Sequence, residues 1–303
     1  MYKECEKAMG KKKIRVSLSE RILQIVIYIV VTIFVILCVY PFYYLIIYSL
    51  SDPTLAAKGI YLLPKAFTFP IYQRIFEKTN FGHAFLISAS RTVINTGLCI
   101  LGSSLFAYLV TKEDMIGRKF VYRFVVITMY IGAGLIPYYI TMKAYHLKDT
   151  YIIPGIINAF YVILIKTFIE QIPPSLEESA EMDGAGFLRT YASIIMPLSK
   201  PIIATVAVYA AVGAWNSWQD NYLLVQNPKL QTVQLILYNC INDAQRIADS
   251  MKNGAIMAPG TVTMSAESLR MATTVVAVLP VMLVYPFLQK YFTQGMMLGA
   301  VKG

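Results

Sequence analysis

Residues 22 to 50 run for about 29 positions without an Asp, Glu, Lys or Arg. Roughly 20 apolar residues in a helix cross the hydrocarbon core of a bilayer, where the backbone must satisfy its own N–H and C=O groups. This run therefore commits the chain to a membrane. Five further runs are long enough to span, at residues 86 to 110, 121 to 142, 151 to 170, 201 to 220 and 272 to 292. Hydrophobic residues make up 57% of the 303 positions and charged residues 15%, too apolar for an ordinary soluble domain. The expectation is an all-α membrane protein with six transmembrane helices in a single domain, 1–303. Gly134, Pro137, Pro154 and Gly155 weaken the third and fourth runs as isolated helices but are tolerated between neighbouring helices.

Lys and Arg set the orientation. Lys3, Lys7, Lys11, Lys12, Lys13, Arg15 and Arg21 precede the first run, and Lys112, Arg118 and Lys119 sit between the second and third. Both places read as cytoplasmic, and six spans return the C-terminus to that side. Ser17-Leu18-Ser19-Glu20 has capping-box spacing, so residues 1–21 read as a basic cytoplasmic tail with a short elbow helix along the inner surface. The first run is too long for a signal peptide. The net charge of +10 clusters against a span, where anionic lipid accounts for it better than nucleic acid does.

Several chemistries find no support. Cys5, Cys38, Cys99 and Cys240 show no close pairing, and His83 and His146 cannot assemble a metal set alone. No P-loop string occurs, so no ATP hydrolysis by that route, no cofactor and no enzyme are expected. Ion-driven carriers place an acidic residue deep in the membrane, and no midplane of the six runs carries one. Arg91, in the second run, reads as snorkelling toward headgroups. Uphill transport would then need an external motor.

Between the fourth and fifth runs, residues 171–200 change character. Pro173-Pro174-Ser175 stops one helix, and Ser175 with Glu178 has the spacing to cap another. Gly184 permits a bend, Pro197 closes the segment, and Phe187, Leu188, Tyr191, Ile194 and Ile195 recur at helical spacing. Two short helices joined at a glycine and displayed on the cytoplasmic face follow.

The whole string, Glu178-Ser179-Ala180, three residues, Gly184, nine residues, Ile194, one residue, Met196-Pro197, resembles the EAA loop of ATP-binding-cassette (ABC) importer permeases. It departs at Ser179, where Ala is usual, and at Met196, where Leu is usual. Asp183-Gly184-Ala185, the stretch from Pro197 to Pro201, the stretch from Ile131 to Pro137, the stretch from Ala214 to Trp218 and the C-terminal stretch from Gly295 are similar to the second membrane subunit of maltose-type sugar importers. The resemblance implies a type I importer fold without catalysis of its own, in the cell membrane of a bacterium. Its implied partners are a second homologous permease chain, two ABC ATPase subunits, an extracellular solute-binding protein, a sugar or oligosaccharide substrate and membrane lipid. It also implies that Glu178, Ser179, Ala180, Asp183, Gly184, Leu188, Tyr191, Ile195 and Pro197 couple to the ATPase, with Glu178 facing an arginine; a helix lying across that face can then bury Leu188, Tyr191 and Ile195 in a cleft of the soluble partner.

Polar and aromatic groups inside the runs are candidates for the translocation pathway: Asn95, Tyr130, Tyr138, Asn158, Tyr161, Tyr209, Trp215 and Asn216. Aromatic faces beside polar edges suit sugar rings, although Tyr and Trp also anchor at membrane boundaries and Asn also bonds between helices. Trp218 and Tyr222 read as boundary anchors. Of two long outward connections, 51 to 85 and 221–271, the second carries Val233, Leu237, Cys240 or Ile241 and Ala244 at amphipathic spacing, with turns at Asn253-Gly254 and Pro259-Gly260. Outer loops of this length resemble permeases for oligosaccharides in Gram-positive bacteria. The rival readings are an ABC permease for amino acids, peptides or anions, and an ion-coupled or facilitative carrier acting alone.

Overall fold

The computed structural model describes residues 18–56, 58–59, 62–78, 80–147, 153–225, 227–252 and 266–300. The first run forms one helix, α1 (Leu18–Ser49), of 32 residues with Pro41 inside it. Glu20 lies in its first turn, so the expected elbow followed by a turn is absent from the described residues: the apolar run carries the helix straight through. The tail before Leu18 lies outside the described residues. Two short helices follow on the connection after the first run, α2 (Pro53–Ala56) and α3 (Pro70–Lys78), and then the second long helix, α4 (Phe81–Leu109).

The third and fourth runs are not continuous helices. α5 (Arg118–Tyr130) and α6 (Leu135–Ala144) are separated at residues 131 to 134, where Gly134 takes φ +83°, a backbone conformation L side chains rarely adopt. Pro137 sits in the first turn of α6, where a missing N–H costs nothing. The fourth run enters through a 3₁₀ turn, Ile153–Gly155, and becomes helical only at α7 (Ala159–Ile169). Its first N–H groups are capped by the Asn158 side chain, which accepts from Phe160 N at 3.0 Å and Tyr161 N at 3.3 Å.

Next comes the elbow. α8 (Pro174–Met182) is bent 80° from the preceding helical segment, and α9 (Phe187–Leu198) contains a π turn over Tyr191–Ile195. α9 then meets α10 (Lys200–Asn216) at 83°. The expected Ser175 cap does not form. Pro173 occupies the N-cap position, and Ser175 lies inside α8, accepting from Ser179 Oγ at 2.7 Å.

After α10 the chain leaves helical geometry at Ser217 and re-enters it at α11 (Gln219–Leu224). The amphipathic stretch forms α12 (Val233–Lys252), with Val233 buried and Leu237 and Cys240 packed beside it. The final helix, α13 (Ala266–Ala300), contains Pro280 and Pro286. The expected turns at Asn253-Gly254 and Pro259-Gly260, and residues 301 to 303, lie outside the described residues. Three described helices, within α1, α4 and α13, are by themselves long and apolar enough to cross a membrane, and the two bent pairs raise this to five.

α4 is the axis of the fold, packing against α7 and α10, while α13 packs against α1, α10 and α12. The main core joins Ala107 and Tyr108 of α4, Val162, Ile165 and Ile169 of α7, Tyr191 and Ile195 of α9 and Val206 of α10. Gly102 lets the 3₁₀ segment close on α4: a Cβ there would stand 2.6 Å from the carbonyl oxygen of Ile156. α1 exposes apolar side chains on every face along most of its length, as a lipid-facing helix does.

Candidate functional site

Two places collect chemistry: a cavity on one side of α4, and the elbow at its far end. The cavity, of about 820 Å³, lies where the broken third run, the 3₁₀ segment and the α10–α11 corner face α4. Its polar lining includes Arg91, Asn95, Tyr138, Thr141, Gln219 and Asp220. Arg91 and Asn95 are four residues apart on α4 and so share a face. The approach of the 3₁₀ segment is close, since a Cβ on Gly155 would lie 2.7 Å from Asn95 Oδ1.

Arg91 does not snorkel. Only 2% of it is exposed; it donates one hydrogen bond to Asp220 Oδ2 and another to the carbonyl of Ser217 at 3.2 Å. The second Asp220 oxygen accepts from Ser217 Oγ at 2.5 Å and Asn221 N at 3.0 Å. Both charges are thereby satisfied where water is scarce. Asp220 is the residue that sequence reasoning missed. It closes the fifth run at its very end, away from the midplanes where no acidic residue is expected. The unexplained Arg91 was the available signal, because a buried cation needs a partner.

Of the other pathway candidates, only Tyr138 joins Asn95 in this cavity. Tyr209 and Trp215 line a different, apolar cavity of about 440 Å³ between α4, α10 and α13, where Trp215 meets Phe85 edge to face at 5.7 Å. Asn158 is spent as a helix cap, Tyr161 packs on the main core, and Tyr130 and Asn216 are exposed away from both cavities. Trp218 and Tyr222 cluster around Tyr238, Trp218 stacking on it at 4.0 Å, so they join the α10–α11 corner to α12.

At the elbow, two faces of α8 are distinct. Glu177, Ala180 and Glu181 turn toward the body of the protein: Ala180 is buried, and both carboxylates pair with Lys112 from the α4–α5 connection, Glu181 at 3.5 Å. Burial works against charge on Lys112, but hydrogen bonds with Glu177 and Tyr108 outweigh it and hold its pKa above the ordinary lysine value. Glu178 and Met182 form the outward face, and Glu178 makes no hydrogen bond or ion pair among the described residues. Met182 is 88% exposed and Leu188 66%. Gly184 turns the chain between the helices at φ +78°.

The expected apolar stripe on α9 is divided. Leu188 faces outward, but Tyr191 and Ile195 are 8% and 1% exposed, buried in this chain's own core, so neither is available to a partner. The ring of Tyr191 stacks on Tyr108, whose other neighbour is Phe187 at 4.8 Å, and its hydroxyl meets Ser104 Oγ at 2.7 Å. The π turn shifts register at this point, which helical spacing alone cannot reveal. Pro197 and Ser179 are exposed, as is Asp183.

No family model matches the chain. It is 36% identical over 291 residues to the polygalacturonan/rhamnogalacturonan transport system permease protein YtcP of Bacillus subtilis (strain 168), covering 94% of this chain and 100% of the relative. The chain belongs to the sugar-transport permeases of ABC importers. The melibiose/raffinose/stachyose import permease protein MelC of the same organism is 30% identical over 275 residues, 87% of this chain and 91% of the relative. Among solved structures, a chain of a bacterial ABC transporter involved in the import of the acidic polysaccharide alginate matches with a TM-score of 0.77 at 29% identity, over 91% of this chain and 98% of that one.

Proposed function

We propose that this permease translocates oligosaccharides delivered by an extracellular binding protein, alongside a second permease chain, with ATP hydrolysed by two partner subunits. The observation that carries the reading is the outward face of the elbow. Glu178 is exposed and makes no hydrogen bond or ion pair among the described residues, on the same outward face of α8 as exposed Met182, while Leu188 is exposed on α9, and both helices are bent about 80° from their neighbours. Such a face suits a cleft that buries the apolar pair and offers a cation to the carboxylate. Elbow, N-terminus and C-terminus are cytoplasmic in this reading, and the six runs each cross once. The cavity beside Asn95, Tyr138 and the Arg91–Asp220 pair forms part of the path, its charges balanced and its rim able to bond hydroxyls.

Carbohydrate substrates are favoured by the names of the relatives, including polygalacturonan, raffinose and alginate transporters. Co-purification of the ATPase subunits with wild type, Glu178→Ala and Gly184→Leu chains tests the coupling role. Both variants are expected in the membrane with the ATPase lost or ATP-driven uptake abolished. Wild-type assembly and uptake in both would refute it. Because Asp220 is already paired with Arg91, it offers no free carboxylate for ion coupling, and gradient-driven flux through this chain alone is not expected.

A further inference from the structure

The elbow has an inner attachment as well as an outer face. Lys112 stands three residues beyond the end of α4, and its ammonium group joins Glu177 and Glu181, one turn apart on α8, while lying 4.9 Å from the centre of the Tyr108 ring. Tyr108 in turn stacks on Phe187 and Tyr191 and reaches Glu177 through its hydroxyl at 3.4 Å. Both elbow helices therefore reach the same end of α4, α8 through charge and α9 through rings, besides the contacts α9 makes with α7 and α10 in the main core. α4 is also the helix that carries Arg91 and Asn95 into the cavity.

We propose that Lys112 is the positioning residue through which displacement of the elbow is delivered to α4 and hence to the cavity. The proposal rests on the coupling role given above to the elbow. Without Lys112, α8 keeps its outward face and its core anchor Ala180, but both inward carboxylates lose their cation. The ring stack holds α9, beyond the Gly184 turn, and the Tyr108 hydroxyl keeps only a long, uncharged bond to Glu177 at 3.4 Å, so neither replaces the ionic attachment of both carboxylates. The ATPase would still bind and turn over, while α8 would move without drawing α4 along.

The test uses the assembled importer in proteoliposomes, with the four native cysteines replaced and a reporter Thr141→Cys in the cavity lining. The probe is a membrane-impermeant maleimide added outside, before and after trapping with ATP and vanadate. Trapping is expected to change the labelling rate of the otherwise wild-type chain. In Lys112→Met, assembly and ATP hydrolysis should persist while that change shrinks by about 5-fold or more, the scale of a typical coupling free energy. Lys112→Arg, and the exchange Lys112→Glu with Glu177→Lys, should restore it. A wild-type change in Lys112→Met would overturn the inference and leave the coupling role intact. Loss of the ATPase from Lys112→Met would also overturn it, because Lys112 would then serve the elbow's folding. Retention of assembly and uptake by Glu178→Ala would instead remove the coupling role itself.

Discussion

Arg91 and Asp220 are 129 positions apart, yet the guanidinium of the first donates directly to the carboxylate of the second. The pair fixes the non-helical corner at Ser217 against α4, and the same two side chains form part of the cavity wall. Burying opposite charges is close to neutral overall, but leaving one behind costs about 3–5 kcal/mol.

Arg91→Met and Asp220→Leu should therefore each lower the thermal stability of the detergent-solubilised chain strongly. The double variant should recover most of that loss, since no orphaned charge remains. Losses that simply add, measured by the aggregation temperature of each purified variant, would rule out a direct energetic pair.

The division of α9 yields a second prediction. Ile195 is 1% exposed within the main core, and truncating such a side chain costs about 2–5 kcal/mol. Ile195→Ala should destabilise the chain while leaving ATPase affinity unchanged in the fraction that remains folded. Leu188→Ala should do the reverse, with stability within about 0.5 kcal/mol of wild type and weakened ATPase binding. Titrating purified ATPase onto both variants, together with their melting curves, separates the two roles.

The membrane class, the long first and second helices and the elbow's start at Pro174 were legible because they rest on local rules: long apolar runs, proline at helix starts, glycine at positive φ, whereas Pro197, read as closing the segment, lies inside α9 just before its end at Leu198. The outward role of Glu178 came instead from the family resemblance, and its exposure agrees with an accessible face. Burial of Tyr191 and Ile195 was not legible, since one stripe at helical spacing cannot say whether its partner is another subunit or the chain's own α4. The break at residues 131 to 134 carries a local mark in Gly134, but the close approach of the 3₁₀ segment to α4 depends on Gly102 and Gly155 admitting near neighbours, which is a fact of packing. Asp220 stayed hidden because an Arg inside an apolar run signals that a partner is needed without saying that it lies 129 positions on.

Lys112 has a defined pH signature. Its folded-state pKa is raised, so its contribution is complete below the ordinary lysine value and fades only as pH climbs through the raised one. The groups facing it are Glu177, Glu181 and Tyr108. Between about pH 6 and pH 9, well below the unperturbed lysine value, the wild-type ratio of sugar taken up to ATP hydrolysed should stay flat. Lys112→Met should give a lower ratio, also flat. A wild-type ratio that falls between pH 7 and pH 9 would mean that this ammonium group does not set the coupling.

The glycines of the α4 contact make the sharpest packing test. Gly102→Ala would drive a methyl to 2.6 Å from the backbone oxygen of Ile156, and since the backbone cannot yield cheaply the cost should be about 1–3 kcal/mol. Gly97, on the same helix with nothing within 4 Å of its would-be Cβ, is the control: Gly97→Ala should be neutral or stabilising, because helical alanine is favoured over glycine. Gly155→Ala differs again, since its methyl would meet the side chain of Asn95 at 2.7 Å, which trimming can relieve. The double variant Gly155→Ala with Asn95→Ala should therefore be more stable than Gly155→Ala alone, while Asn95→Ala should do nothing for Gly102→Ala. Melting temperatures of the five variants decide it: rescue of both glycine substitutions by Asn95→Ala, or of neither, would contradict the side-chain contact between Asn95 and the 3₁₀ segment.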